Sequence, residues 1–396
     1  MRIALRLLLA CLLIAGSAQV PAVPAPPERA PYTLPDVEQI PLVASGSGRE
    51  YRILVATPPL PPPPGGYPVI YVLDGNNMFL TTMETVRAYA RRLDDAVKQR
   101  ALVVGIGYPP GTDLPEARTY DLTPDGHAPA GRHRTGGAPA FLAFIEDDLK
   151  PVIAREYPVD PAQQSLIGHS LAGQFVLDTL IRRPDAFQTY VAMSSSFWFG
   201  DHALPAHIDA FADARSGSDP PRRILLTVGQ HEERPPPSAW VEDPAKGRHI
   251  LERLRHRGQV THARRSAQRL AAAPGMVVDF AEIAGEDHGT VIPASIARGV
   301  AFILTGPVEI PPVPSAAQYM ALGPEGRYRL RMQVRALPDP HRIPWLARLK
   351  STLQSGLDAD TRRQLHDERQ RMDREFGSEP HAPRREEPAS APAVAD

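Results

Sequence analysis

The stretch Ser165-Leu166-Ile167-Gly168-His169-Ser170-Leu171-Ala172-Gly173 constrains the fold more than any other part of the chain. An apolar run enters it and an amphipathic run with Phe175, Val176, Leu177 and Leu180 leaves it, so Ser170 falls at a turn from strand to helix. Such an elbow lifts the hydroxyl clear of the backbone, and small residues at 168, 172 and 173 let strand and helix approach without collision. It also puts the backbone N–H of Leu171 at a helix N-terminus, where donors face a developing oxyanion without reorganising. A serine here also suits an ordinary helix N-cap. The residues that follow decide between nucleophile and cap.

A nucleophilic serine needs an imidazole to take its proton and an acid to hold that imidazole in the right tautomer. Downstream, Ile224 to Val228 is a short apolar run that ends at Gly229-Gln230-His231-Glu232-Glu233, a strand tip carrying carboxylates. Met276 to Phe280 reads as a further strand, and Gly285-Glu286-Asp287-His288-Gly289 follows it, so His288 lies on the loop after the last strand. Ile292, Ile296, Val300 and Ile303 then recur at helical spacing. Serine, acid, histidine, each on a loop after a later strand, is the chain order of an α/β-hydrolase fold: a mostly parallel central sheet with helices on both faces. Glu232 is the candidate acid and Glu233 the next; both also fit solvated surface glutamates. Asp287 adjoins His288, which makes contact with that ring awkward, so it is expected to face solvent or support the loop. His288 itself competes with the reading of an exposed loop histidine, one of thirteen in the chain.

Four stretches together carry a family resemblance: Tyr67 to Asn76, which ends in Asp74-Gly75-Asn76; Arg118-Thr119-Tyr120-Asp121-Leu122-Thr123-Pro124; Gly136-Gly137 ahead of Phe141 to Pro151; and the Gly-His-Ser elbow. Over roughly residues 40 to 304 the chain resembles the putative-esterase branch of the α/β-hydrolases. That branch includes esterase D-like enzymes and the hydrolases of trilactone siderophores such as ferric enterobactin and salmochelin. The resemblance implies Ser170 as nucleophile and His288 as general base. It implies an oxyanion hole made by the N–H of Leu171 with that of Asn76 or Gly75. Ala172 stands where many relatives have glycine, and some siderophore esterases resemble a Ser-His dyad, so the acid stays open between Glu232, Glu233 and none.

Composition bounds the surroundings. The formal charge of −1 makes nucleic acid a poor partner. No His-Glu-x-x-His, no cysteine ligand set and no glycine-rich phosphate loop is present, so neither a metal nor a cofactor is expected. Arg2 and Arg6 flank the start of an apolar core, Leu7 to Ala15, that runs into Gly16-Ser17-Ala18. Residues 1–18 read as a signal peptide cleaved near Ala18, too short to span a bilayer, which sends the protein to a periplasm or outside the cell. Leu8-Leu9-Ala10-Cys11 resembles a lipoprotein box, but the apolar run continues past Cys11. Cys11 is the sole cysteine, so the exported chain would carry no disulfide. Part of the 45 prolines make residues 19–39 a linker ahead of a hydrolase domain at 40–305.

Substrate elements are expected between the motifs. Ser194-Ser195-Ser196-Phe197-Trp198-Phe199 follows the strand Thr189 to Met193, and the insertion Gly200 to Pro221 suits a pocket wall or lid. Trp198 is the aromatic candidate there, against the reading that Phe197 and Trp198 only pack the domain. Arg118, Arg132 and Arg134, with Tyr120 beside them, could meet an anionic substrate; exposed arginines also simply solvate a face. Residues 306–377 read as a helical extension. Arg327 to Leu337 fits period two by count, while Pro324-Glu325 suits a helix start, which leaves that run open. Ile343, Leu346, Leu349, Leu353 and Leu357 are helical, and Leu365, Met372 and Phe376 mark a further charged helix. Such short amphipathic helices need a surface: the hydrolase domain, a second copy or another envelope protein. Residues 378–396 are expected to be disordered. The sequence therefore points to an exported serine esterase acting on a small-molecule ester, a siderophore trilactone among the candidates. The alternatives are an acyltransferase of the same fold and a catalytically silent scaffold working through its C-terminal helices.

Overall fold

Alternation in Tyr51, Ile53 and Val55 predicts a half-buried strand, and all three side chains are buried. They lie in the computed structural model of the protein, which describes residues 33–91, 99–124, 133–234, 244–305, 310–335, 337 and 339–377. The leader at 1–18 with Cys11, most of the proline-rich linker, Arg132 and the tail at 378–396 fall outside the described residues. The strands are β1 (Val37–Val43), β2 (Glu50–Ala56), β3 (Tyr67–Val72), β4 (Leu102–Gly107), β5 (Val159–His169), β6 (Thr189–Met193), β7 (Arg222–Gly229) and β8 (Met276–Ile283). They form one sheet in the order β1-β2-β4-β3-β5-β6-β7-β8. β2 runs antiparallel to both β1 and β4, and the remaining pairings are parallel. β4 and β6 are buried along their whole length, as strands covered on both faces are. The sheet starts at Val37, slightly ahead of residue 40.

In chain order the helices of this layer are α1 (Gly75–Ala90), α2 (Leu114–Leu122), α3 (Ala138–Ala143), α4 (Lys150–Glu156), α5 (Leu171–Arg182), α6 (Leu204–Ala214), α7 (Pro244–Arg257), α8 (Gln259–Ala271) and α9 (Val291–Leu304). A π-helical segment, Phe144–Leu149, joins α3 to α4. Val69 and Tyr71 of β3 share a core with Phe175 and Val176 of α5, and the period of two turns Ile70 and Val72 to the other face. α1 and α9 pack together, while α5 meets α6 and α6 meets α8. The architecture is thus an α/β-hydrolase sheet with helices on both faces. Gly299 lets α9 close on β6, since a Cβ there would stand 2.9 Å from Val191 Cγ1.

Beyond Leu304 come α10 (Ala316–Ala321), α11 (Gly323–Arg335), α12 (Asp339–Gly356) and α13 (Ala359–Phe376). The run left open by its pattern is helical: in α11 the buried residues Arg327 and Val334 lie two turns apart on one face. Tyr319, Val334, Leu337, Trp345 and Leu349 make a small core of their own. α12 is the element of this group that lies against β8 and α8. β8 ends the sheet, and His341 Nε2 of α12 accepts the Val278 N–H at 2.9 Å, giving a buried edge donor its partner.

Candidate active site

Ser170 sits between β5 and α5 at φ 63°, ψ −119°, a backbone conformation that L residues rarely adopt. Neighbouring glycines make the turn possible. A Cβ on Gly168 would lie 2.4 Å from the Ala172 carbonyl oxygen, and one on Gly173 would lie 2.8 Å from that of Met193. The elbow is closed by Ser170 N–H donating to the Met193 carbonyl at 2.9 Å and by Ser196 N–H donating to the Ser170 carbonyl at 3.1 Å. Asp74 and Ser194, at the ends of β3 and β6, also have positive φ, so three strand ends around the site turn sharply.

The loop after β8 brings His288 over this turn. Its Nε2 lies 3.0 Å from Ser170 Oγ and its Nδ1 lies 2.6 Å from Glu232 Oε2. Glu232 is 4% exposed, in a 3₁₀ turn directly after β7. Its other oxygen accepts the Gly229 N–H at 2.8 Å and the Ser194 hydroxyl at 2.5 Å, so the buried carboxylate is held on three sides. Glu233 turns instead to α8, where it accepts the N–H and the hydroxyl of Thr261 in the first turn, both at 2.7 Å. Asp287 supports the loop by accepting the N–H groups of Gly289 and Thr290. These bonds hold its carboxyl below the usual carboxylate range.

His169 braces the same loop. Its Nε2–H donates to the His288 carbonyl at 2.8 Å, and the two rings lie 4.6 Å apart. Burial, with the His288 ring alongside, pushes its pKa down to about 4, so it is a neutral imidazole at physiological pH. Asn76 fixes the start of α1 on β4 by exchanging two bonds with the Tyr108 backbone, at 2.7 and 3.0 Å. A helix leaves its first N–H groups without internal acceptors. Those of Gly75 and Asn76 in α1 and of Leu171 in α5 belong to that set.

Arg118 differs from the expectation of an anion receptor. Its guanidinium grips the Asp74 carboxylate through two bonds, at 2.7 and 2.9 Å, and donates to the His169 carbonyl at 3.1 Å. One side chain thereby ties the residue before α1 to the residue before Ser170. Tyr120 also departs from its expected place: the guanidiniums of Arg49 and Arg134 lie over its ring, at 5.1 and 5.0 Å from the centroid, and it is not in the wall beside His288. Arg134 in turn pairs with Glu116 at 2.8 Å. Trp198 does line the cavity of about 370 Å³ next to His288 and Glu232, whereas Phe197 is buried in the core.

Several residues at the site carry no legible signal in the sequence. Arg257 ends α7 with its guanidinium 5.0 Å above the Trp198 ring, in the wall of the same cavity. Burial, with Arg253 nearby, lowers its pKa. Ser194 and Ser196 stand in the run expected to supply substrate elements, yet one bonds Glu232 and the other has its Oγ 3.3 Å from that of Ser170. Among the described residues no group of three or more histidine, cysteine or acidic side chains is placed to hold a metal.

Residues 44–268 match the family described as "Putative esterase". The chain is 36% identical over 284 residues to the ferri-bacillibactin esterase BesA of Bacillus subtilis, covering 69% of this chain and 91% of that one. It is 32% identical over 283 residues to the siderophore triacetylfusarinine C esterase of Aspergillus fumigatus, covering 68% and 94%. Among solved structures, the BES protein of Bacillus cereus superposes with a TM-score of 0.60 at 31% identity, over 70% of this chain and 98% of that one. The siderophore hydrolase EstB of Aspergillus nidulans superposes with a TM-score of 0.61 at 28% identity, over the same shares. The chain belongs to this esterase family, and its activity is that of a carboxylic ester hydrolase.

Proposed function

We propose that the protein is an exported serine esterase that opens siderophore ester bonds, trilactones in particular, through an acyl-serine intermediate. The reading rests on one observation, the hydrogen-bonded chain from Glu232 through His288 to Ser170 Oγ. Ser170 Oγ attacks the ester carbonyl while His288 Nε2 takes its proton. Glu232 holds the Nδ1–H and stabilises the imidazolium that results. The tetrahedral oxyanion lies against the N–H of Leu171 and that of Gly75 or Asn76, and one such donor is typically worth on the order of a hundred- to a thousandfold in turnover. Collapse expels the alcohol, which takes its proton from His288. Water, activated by the same imidazole, then attacks the acyl-serine and releases the acid and Ser170.

Support for the substrate comes from two sides. Curated relatives that cover most of this domain are named as siderophore esterases. The cavity beside His288 offers an aromatic wall, Trp198, with the Arg257 cation over it, a pairing suited to an aryl group that carries negative charge. Export rests on the leader-like residues 1–18. The test is incubation with a trilactone siderophore, iron-free and ferric, with the linear ester products followed by liquid chromatography and mass spectrometry. Opening of the ring by the wild type and none by Ser170→Ala supports the reading. Turnover of simple aryl esters with an untouched trilactone would remove the siderophore assignment and leave the esterase.

A further inference from the structure

The loop that leaves β6 reaches both ends of the chain of bonds from Glu232 through His288 to Ser170. Ser194 gives its hydroxyl to Glu232, and the Ser196 hydroxyl stands 3.3 Å from Ser170 Oγ. Main-chain bonds hold the second contact in place. Ser170 N–H donates to the Met193 carbonyl at 2.9 Å, Ser196 N–H to the Ser170 carbonyl at 3.1 Å, and Phe199 N–H to the Ser196 carbonyl at 3.1 Å. Ser196 is 0% exposed, so bulk water does not compete for its hydroxyl, and a bond made there is stronger than one in water. None of the steps assigned to Ser170, His288 and Glu232 uses this hydroxyl.

The direction of the bond follows from where the protons sit. A carboxylate only accepts, so His288 Nδ1 turns its hydrogen toward Glu232 and Nε2 is left to accept from Ser170 Oγ. The single hydroxyl proton of Ser170 is thereby committed to His288. In the pair with Ser196, Ser170 Oγ is then the acceptor and Ser196 the donor; among the described residues the Ser196 hydroxyl has no other partner. Such a donor acts unequally on the two halves of ester hydrolysis. In acylation Oγ starts as a hydroxyl that already accepts this bond and keeps it through the attack, so the barrier changes little. In the acyl-enzyme Oγ is the single-bonded oxygen of an ester, a poor acceptor. When the bond from the acyl carbon to Oγ breaks, negative charge gathers on Oγ and the bond from Ser196 strengthens.

We infer that Ser196 is a further catalytic residue, which donates to Ser170 Oγ as the leaving oxygen and speeds deacylation in preference to acylation; this role rests on the acyl-serine reading of Ser170. In deacylation, water attacks the acyl carbonyl and gives a proton to His288. As the tetrahedral intermediate collapses, the bond between the carbonyl carbon and Oγ breaks, its electron pair stays on Oγ, and His288 returns the proton to that oxygen. Ser196 keeps its own proton throughout and shares it only as a hydrogen bond, so both serines end as hydroxyls.

The experiment compares the full-length wild type with Ser196→Ala, which loses one buried oxygen and none of the main-chain bonds that shape the turn. Single turnovers of 4-nitrophenyl acetate, with protein in excess, are followed in a quenched-flow instrument. Release of 4-nitrophenol gives the acylation rate, and loss of the acetylated protein by intact mass spectrometry gives the deacylation rate. Labelling by a fluorophosphonate probe reports the nucleophile separately. In Ser196→Ala, acylation and labelling are expected to stay within about twofold of wild type. Deacylation is expected to slow about tenfold, the size of one neutral hydrogen bond, so that the acetylated protein accumulates. Deacylation within about twofold of wild type would overturn the role. So would acylation and labelling that fall as far as deacylation, because the hydroxyl would then only hold Ser170 in position. A wild type that neither releases 4-nitrophenol nor takes the probe gives a different result: it removes the acyl-serine reading itself, and the role of Ser196 with it.

Discussion

Glu232 and Glu233 carry the same side chain one residue apart, and only their partners separate them. Glu232 meets His288, Ser194 and the Gly229 N–H, while Glu233 meets Thr261 at the start of α8. Replacing Glu232 by Gln leaves the shape and removes the charge that, in the proposed mechanism, fixes the imidazole tautomer. We expect kcat on a chromogenic ester to fall by on the order of 10³–10⁴-fold, whereas Glu233→Gln stays within about twofold; a comparable loss in both would argue against the assignment. Arg118 makes a second test at this scale. Because it ties Asp74 to the His169 carbonyl, Arg118→Met is expected to lower kcat by about a hundredfold, with KM changed much less. A rise in KM alone would return Arg118 to the role of substrate receptor. Ser170 and His288 were legible because strand and helix patterns flank them. The choice between the two glutamates was not, since it depends on Ser194 and Thr261, which no local pattern connects to the tip of β7.

Elements show the same division between local pattern and distant contact. Strands and helices with clean periodicity, such as β2, β6 and α9, stand where their sequences predict them. The run that starts at Arg327 satisfies a period of two and still folds as α11 as far as Arg335, because its buried positions are fixed by Tyr319, Trp345 and Glu368 on other helices. The seam between α12 and β8 rests on His341, whose burial lowers its pKa and whose Nε2 must stay unprotonated to accept from Val278. His341→Ala removes that acceptor and is expected to cost about 1–3 kcal/mol in urea unfolding; no loss would mean that the seam is not under load. His169 gives the stability of the fold a dependence on pH. Its folded pKa of about 4 lies below the ordinary value of about 6.5, so the unfolded chain binds the proton first as pH falls. Its contribution is therefore complete above about pH 6.5 and is lost progressively toward pH 4, by up to about 3 kcal/mol. The variant His169→Gln is expected to flatten that part of the stability profile, and an unchanged slope would contradict it.

At the scale of the whole molecule, the esterase layer and the C-terminal helices divide the work. Ser170, His288 and Glu232, the proposed nucleophile, base and acid, follow the ends of β5, β8 and β7, so deleting residues 315–396 is expected to leave turnover of a small ester within about twofold. The same deletion uncovers β8 as a free edge, and self-association measured by light scattering is expected to rise. Loss of all turnover in a truncated protein with native circular dichroism would instead make the extension part of the catalytic unit. The chain order of strand ends made the hydrolase layer legible, whereas the small core among α10, α11 and α12 depends on side chains brought together by packing alone. The central claim, that His288 activates Ser170 as a nucleophile, is tested most directly by a fluorophosphonate probe and intact mass spectrometry. One adduct on the wild type, none on Ser170→Ala and sharply slowed labelling of His288→Ala is the predicted result. A folded wild-type protein that takes no adduct, or one labelled equally fast without His288, would contradict it.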